Sequence, residues 1–295
     1  MVYFLIVNYY SQDLIQQLIE SIEANKKLEQ PQCFEVYIVN NSPDDTEIHA
    51  LKHLFPKINI FTATQNLGFG GGCNLGLQQI YEIDKNALVW LINPDATLDP
   101  DAIAYVSQCF EQDKAIAILG TGIRDRSKKI WFHKGDFNPW IGAINENLAQ
   151  LVYEEKRELG TVRTISSRWV SGCSLILNLG KFDCCPEFNS HYFLYYEDAD
   201  LCERYYQQGY HVAVTEAVLV THGVSQITDR NRVVKYRHNT FSKLYFLSQH
   251  AKPTALWLNL IYMLVKILFR LLSDRAAALG RWQGYLDFLH QWIKR

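Results

Sequence analysis

Ala87-Leu88-Val89-Trp90-Leu91-Ile92-Asn93-Pro94-Asp95-Ala96-Thr97 is the stretch that decides the fold class. Six consecutive apolar residues, 87–92, are what a parallel strand covered on both faces requires, and Asn-Pro-Asp cannot continue it because proline lacks the ladder N–H. A carboxylate is thereby delivered to the carboxyl end of a central strand. Ligands bind at that edge in open α/β sheets, and an Asp there can hold a hard divalent cation against phosphate oxygens. The same residues also suit a type I turn, with Asn at i, Pro at i+1 and Asp at i+2, and no ligand at all. On this stretch alone both readings stand.

Working outward, residues 2–7, 34–39, 58–62 and 116–119 read as further buried strands. Between them lie helical patterns: one starting at Ser11 with Leu14, Ile15, Leu18, Ile19 and Ile22 on one face, then 46–54, then a segment running through Ile80, then 100–110. Strand and helix alternate with short connections, which predicts an α/β fold with a doubly wound, mainly parallel, Rossmann-like sheet. Residues 121–167 are polar and irregular apart from Trp131, Phe132, Phe137 and Trp140, and read as an excursion over the sheet edge. Residues 169–177 are strand-like again. A helix opens at Glu197, Asp198 and Asp200 and closes at Gly209; two short strands follow at 211–214 and 217–220, and Thr221-His222-Gly223-Val224-Ser225 ends the sheet region. The remainder reads as helical, so the expected division is a sheet domain over 1–228 and a helical extension over 229–295.

A hydrophobic share of 48% with 20% charged residues describes an ordinary globular chain able to bury a sizeable core. The net charge of −2 hides an asymmetry, because residues 230–295 hold twelve Lys and Arg against Asp274 and Asp287, a balance of +10 that leaves −12 on residues 1–229. A basic tail on an acidic body points to an anionic partner such as a phospholipid surface or a phosphorylated acceptor, and no nucleic-acid partner is expected. Seven cysteines without a Cys-x-x-Cys pair argue against a disulfide framework and for a reducing cytosol. Residues 1–7 read as a first strand and not as a signal segment. No run of eighteen uncharged apolar residues exists, so no transmembrane span is expected. Residues 255–272 are nonetheless apolar except along a stripe of Asn259, Lys266 and Arg270, and Trp282, Tyr285, Leu286, Leu289, Trp292 and Ile293 form a second apolar face. Such faces lie in a membrane interface, pack on the body of the protein or meet a second subunit.

Gly68-Phe69-Gly70-Gly71-Gly72-Cys73-Asn74-Leu75-Gly76 fails the dinucleotide fingerprint, since the third glycine of either register falls on Cys73 or Leu75, and no Gly-Lys-Ser/Thr makes a P-loop. What survives is either a set of glycines bringing N–H groups near a phosphate at a helix start or a flexible loop capped by Asn74. The acids at 197, 198 and 200 complement a helix dipole, which would lower the pKa of any one that serves as a general base. They follow the aromatic run Tyr192-Phe193-Leu194-Tyr195-Tyr196, a wall suited to a sugar ring. His222, just after a strand, can ligate a metal, contact a phosphate or be a satisfied polar residue.

As an ordered set, Ile6-Val7-Asn8-Tyr9-Tyr10, Val39-Asn40-Asn41-Ser42, the glycine-rich segment from Asn66, Leu91-Ile92-Asn93-Pro94-Asp95-Ala96, Trp169-Val170-Ser171-Gly172-Cys173, Phe193-Leu194-Tyr195-Tyr196-Glu197-Asp198-Ala199-Asp200 and His222-Gly223-Val224-Ser225 resemble glycosyltransferase family 2 and its rhamnosyltransferase-like branch. The resemblance implies a GT-A fold, and inverting transfer from a dTDP- or UDP-sugar donor to a glycan or polyprenyl-linked acceptor in surface polysaccharide synthesis. It further implies a location on the cytoplasmic face of the membrane and possible homo-oligomers. Asp198 corresponds to the catalytic base. Asp95, with Asn93 where the family has a second Asp, corresponds to the Mg2+ or Mn2+ ligand, and His222 to a further one. Asn8, Tyr9, Asn40, Asn66, Gly68 and Asn74 fall on the donor side, Asn40 at the position that accepts from the nucleobase and Tyr9 beside it as a stacking partner. Trp169, Gly172, Tyr196 and Glu197 fall on the sugar and acceptor side. A sugar nucleotidyltransferase would carry a basic glycine-rich loop where Asn8-Tyr9-Tyr10 stands. A non-catalytic nucleotide or sugar binder tethering a partner to the membrane is the alternative from another class.

Overall fold

The computed structural model describes residues 1–25, 34–147, 162–223 and 231–294. Strand β1 (Val2–Asn8) is buried along its whole length, and beside it lie β2 (Phe34–Asn40), β3 (Asn59–Thr62) and β4 (Leu88–Ile92) in the spatial order β4-β1-β2-β3, all parallel. This is the half that the continuous apolar runs predict. Helix α1 (Gln12–Glu23) turns Ile15, Leu18, Ile19 and Ile22 inward; between β2 and β3 a 3-10 turn, Glu47–Ala50, leads into the short helix α2 (Leu51–Leu54).

Helix α3 (Gly68–Ile83) corrects the loop reading of the glycine-rich segment, because the glycines form its first turns. Glycine is a poor helix former, and packing explains its use here. A Cβ at Gly72 would stand 2.8 Å from Val7 Cγ1, and one at Gly76 would stand 2.2 Å from Leu5 Cδ1, so the helix lies on β1 at a distance only glycine permits. Asn74 is no cap either: it sits in the middle of the helix, where its amide exchanges two hydrogen bonds with the backbone of Phe188, at 2.8 and 2.7 Å.

Beyond β4 the sheet changes character. The chain turns at Asn93-Pro94-Asp95, forms the short β5 (Ala96–Leu98) and helix α4 (Ala102–Gln112), and returns as β6 (Ile116–Asp125). Residues 121–167 are not the irregular excursion expected. They continue β6 and add β7 (Ile130–Phe132), β8 (Lys134–Asn138), β9 (Ala143–Asn147) and β10 (Thr164–Ser166), with residues 148–161 outside the described ones. The strand expected at 169–177 is β11 (Ser174–Asn178), which runs antiparallel to both β4 and β6, and the residues before it are a turn. The two short strands are one bulged strand, β12 (His211–His222), its irregularity centred where Thr215 Oγ1 donates to Ala217 O and accepts from Gly122 N–H. The sheet order is β10-β12-β6-β11-β4-β1-β2-β3.

Helix α5 (Glu197–Gln207) precedes β12, and three helices follow it: α6 (Arg232–His250), α7 (Pro253–Ser273) and α8 (Arg275–Ile293). The body holds α6 through Ser242 Oγ to Leu194 O (2.9 Å), His250 to Asp200 (2.8 Å) and Phe246, whose ring packs on Phe137 and Tyr196. By length and composition α7 could cross a membrane; Lys266 and Arg270 interrupt the apolar run that a count of uncharged residues requires. One of its faces, Ala255, Leu256, Leu260, Met263 and Ile267, is buried against the protein.

Candidate functional site

At the carboxyl ends of β1 and β2 most polar side chains are spent on one another, with Ser42 Oγ buried and without a partner among the described residues. Asn8 Nδ2 donates to Asn40 Oδ1 (3.0 Å) and to Asp45 Oδ2 (2.9 Å), while Asn8 Oδ1 accepts from Ser11 N–H and Oγ–H. Asn40 Nδ2 donates to Asp45 O, and its Oδ1 also accepts from Ser42 N–H. Both asparagines are fully buried. Asn41 makes a second clamp, donating to Asn66 Oδ1 (3.0 Å) and Gly68 O (2.9 Å) and accepting from Leu67 N–H. This fixes the start of α3, where Gly68 has φ +74° and a Cβ would stand 2.1 Å from Phe193 O. Tyr9 and Tyr10 stay exposed, their rings edge to face at 5.1 Å, with Tyr10 Oη donating to Asp44.

The turn after β4 is real: Ala96 N–H donates to Asn93 O at 3.1 Å, as a four-residue turn from Asn93 requires. It aims Asp95 at β12. Ala96 pairs with His222 across the β5–β12 ladder, Gly223 N–H donates to Asp95 O (2.8 Å), and His222 Nε2 lies 3.1 Å from Asp95 Oδ1. Both residues are buried, the Trp131 ring packs edge-on against His222 at 4.6 Å, and His222 Nδ1 has no hydrogen-bond partner among the described residues.

A single turn links this pair to the acids of α5. Asn93 N–H donates to Cys173 O (3.0 Å), and the preceding residue, Gly172, donates its N–H to Asp198 Oδ2 at 2.7 Å. A Cβ at Gly172 would press on Asp198 Oδ2 at 3.3 Å and Phe69 Cε1 at 3.2 Å, so the close approach favours glycine. Cys173 lies between the two carboxylates: burial first, then the charges of Asp95 and Asp198, push its thiol well above the usual range. Tyr195 and Tyr196 enter α5 in the left-handed region at φ 70° and 66°, a conformation that costs bulky residues on the order of 1–3 kcal/mol each and marks a segment held by its surroundings.

The three acids of α5 diverge. Burial pushes Asp198 above the usual carboxylate range, against the pull of N–H bonds from Gly172 and Ala199. Desolvation therefore outweighs the helix dipole, and the lowered pKa expected from the dipole is corrected. Glu197 is 5% exposed, its Oε2 has no partner among the described residues, and burial followed by the Asp198 charge pushes it well upward. Asp200 goes the other way: burial raises it, but His250 (2.8 Å) and Arg204 (2.8 Å) outweigh that and lower it.

The structure thus brings Asp95, His222, Asn93, Gly172, Glu197 and Asp198 together. Trp169 is buried beneath β8, its Nε1 donating to Asp136 O and its ring packed on Phe132, and Tyr196 packs on Phe246. Val224 and Ser225 of the His222 motif lie outside the described residues. Sequence reasoning missed Asn41, Asp45, Trp131 and Cys173 as participants. Asn41 and Cys173 stood inside the matching motifs without a role assigned, and Trp131 in an aromatic cluster of a polar segment. Among the described residues no three His, Cys, Asp or Glu side chains gather as a metal cluster, so a six-coordinate ion at Asp95 and His222 would take its other ligands from phosphate oxygens and water. His222 Nε2 and the buried Asp95 carboxylate, 3.1 Å apart, are the donor pair that fits such an ion.

A parallel sheet half with an Asp-bearing turn at its carboxyl edge, joined through β11 to a second acid, is the GT-A arrangement of nucleotide-sugar transferases. The family model for glycosyl transferase family 2 matches residues 3–171, and the chain belongs to that family. It is a glycosyltransferase of rhamnosyltransferase-like sequence: it is similar to an N-acetylglucosaminyl-diphospho-decaprenol L-rhamnosyltransferase of Mycobacterium tuberculosis, with 23% identity over 229 residues, 72% of this chain and 74% of that protein. Among solved structures, GalNAc-T7 with UDP, GalNAc and Mn2+ superposes with a TM-score of 0.57 at 12% identity over 75% of this chain, which spans 43% of that one. S. aureus TarS 1-349 in complex with UDP gives a TM-score of 0.53 at 13% identity over 97% of this chain and 88% of the other. These likenesses support the fold.

Proposed function

We propose that this glycosyltransferase inverts the anomeric centre as it moves rhamnose or another hexose from a dTDP- or UDP-sugar to a hydroxyl of a lipid-linked glycan during surface polysaccharide synthesis at the cytoplasmic face of the membrane. The observation that carries the reading is the turn 171–173, which ties the Asp198 carboxylate to the turn bearing Asp95 through Gly172 N–H and Cys173 O. The lipid-linked acceptor is supported by the decaprenol-linked substrate for which the mycobacterial relative is named, and the nucleotide diphosphate by the UDP complexes of the fold's neighbours.

In this reading Asp198 takes the proton of the acceptor hydroxyl as that oxygen attacks the anomeric carbon, and the bond from that carbon to the diphosphate oxygen breaks on the opposite side. The N–H groups of Gly172 and Ala199 hold the carboxylate in place, and its burial raises its basicity. Asp95 and His222 would hold Mg2+ or Mn2+, which when bound stabilises charge on the departing diphosphate. Asn8 and Asn40 support the nucleotide edge from behind, by fixing the loops that carry Tyr9 and Asp45, because their own side chains are already bonded.

The test is transfer from labelled dTDP-rhamnose and UDP-hexoses to a polyprenyl-diphosphate-linked GlcNAc acceptor with Mg2+ or Mn2+, alongside release of free nucleoside diphosphate. Donor-dependent, chelator-sensitive transfer with inversion is expected; transfer with retention, or full activity in Asp198→Asn, overturns the assignment.

A further inference from the structure

The face of α7 that does not pack on the protein is apolar over about half the helix circumference. Trp257, Leu258, Ile261, Leu268, Phe269 and Leu272 all point outward, Phe269 being 74% and Leu272 93% exposed. Beside the first turns of α7 lies the β8–β9 turn, where Trp140 and Ile141 are exposed, Ile141 O accepts from Asn259 Nδ2 (3.1 Å), and Lys252 Nζ sits 5.0 Å from the centre of the Trp140 ring. The apolar surface therefore continues from one element to another, which single exposed residues on an ordinary surface do not do.

One edge of that face is basic. Lys243 of α6 and Lys266 of α7 bring their ammonium groups to 5.8 and 5.6 Å from the centre of the same Tyr262 ring. No ion pair is recorded for either among the described residues, and burial together with the Lys266 charge holds the Lys243 ammonium below its usual pKa. Two like charges on one aromatic ring, at the margin of an apolar face, form a place for an anion that the protein does not itself supply.

We infer that α7 and the Trp140-Ile141 turn together lie in the interface of an anionic phospholipid bilayer, with headgroup phosphate received by Lys243 and Lys266 across Tyr262. Charge complementarity selects a bilayer over a second copy of the chain. A two-fold interface built on this face would bring together two tails of +10 each and leave the lysine rims without counter-charge. The wide apolar face with a basic, aromatic margin is the pattern of helices that lie in the headgroup region, and the buried face of α7 is committed to the protein. The inference is independent of the donor sugar and of the catalytic base.

The test is sedimentation of the full-length protein with vesicles of phosphatidylcholine alone and of an equal mixture with phosphatidylglycerol. Binding to the mixture and little to the neutral vesicle is expected, released by alkaline carbonate. Lys266→Gln should weaken binding about fivefold, the worth of one lysine near an anionic surface. Phe269→Asp and Leu272→Asp, at positions that contact solvent, should abolish binding while melting temperature and nucleotide-sugar hydrolysis stay as in the unaltered protein. The inference is overturned by a full-length protein that stays in the supernatant with both vesicles, by aspartate variants that bind undiminished, or by resistance to carbonate, which would make α7 a span. A dimer in solution that the aspartate variants dissolve would likewise assign the face to a second copy.

Discussion

Two polar regions meet at the carboxyl edge of the sheet, and they are built on opposite terms. Around β1 and β2, Asn8, Asn40, Asn41, Asp45 and Asn66 bond one another, leaving Asn8 and Asn40 fully buried and satisfied. Around β5, β12 and α5, Glu197 Oε2 and His222 Nδ1 are buried without a partner among the described residues, and Asp198 accepts from backbone N–H groups. An unpartnered buried polar atom costs on the order of 1–3 kcal/mol, and the second region keeps two ionisable ones where the first leaves only the Ser42 hydroxyl. Under the proposed function the first region is read as scaffold and the second as the place for chemistry.

The comparison breaks most sharply at Asp198. Asp198→Asn keeps the shape and one of the two N–H contacts, since Gly172 N–H reaches Oδ2 and Ala199 N–H reaches Oδ1, but removes the basic group, and transfer should fall by about 10²–10⁴-fold with nucleotide affinity retained. In the unaltered enzyme kcat should rise with pH along an acid limb displaced above the ordinary carboxylate range, the direction that burial gives Asp198. A pH profile whose acid limb lies at or below that range would contradict the assignment.

Within the same helix, Asp200 belongs to the satisfied class, and its loss should be read in stability. Asp200→Asn would leave Arg204 and His250 facing an uncharged amide at a site only 1% exposed, at a cost of about 3–5 kcal/mol in urea unfolding. Asp200 has a folded pKa below its unfolded value. Its contribution is therefore fully present above the unfolded pKa of about 3.9 and is lost as pH falls through the folded one. The variant should lack that acid limb in its stability profile.

Asn40→Ala should cost less, about 1–3 kcal/mol, by stranding Ser42 N–H and one N–H of Asn8 Nδ2. Equal donor KM with a lower melting temperature would sharpen the scaffold reading. A raised KM at unchanged stability would move Asn40 into the nucleobase site.

How much of this could be read from the chain follows from where each partner lies. The parallel half was legible because residues 2–7, 34–39 and 87–92 are apolar runs whose meaning is local. In the other half the apolar stretches at 116–119, 169–177 and 211–220 announced β6, β11 and β12, but β8 (Lys134–Asn138) was not legible: it is short and polar, and it exists because β9 and Trp169 pair with it. Asp95, Asp198 and His222 stood out through the residues flanking them. Asn8 and Asn40 stood out equally, yet an asparagine at a strand end looks the same in sequence whether it faces a nucleotide or another asparagine 32 residues away. The acid count of α5 was visible, whereas the opposite fates of Asp198 and Asp200 depend on α6 and on the turn 171–173, which no local pattern brings near.

The smallest effect should come from Glu197→Gln, and it tests whether an unpartnered carboxyl burdens the fold. Burial and the Asp198 charge place the folded pKa of Glu197 well above its unfolded value of about 4.3. Between those two values the native state binds the proton more tightly than the unfolded chain, so stability falls as pH rises through the window. Glutamine cannot ionise and keeps the shape, so the variant should match the unaltered protein near pH 4 and exceed it at alkaline pH, by about 2 °C in Tm for each kcal/mol recovered. Identical melting curves for the two proteins across that range would mean that Glu197 finds a partner in solution and belongs with the satisfied residues of β1 and β2.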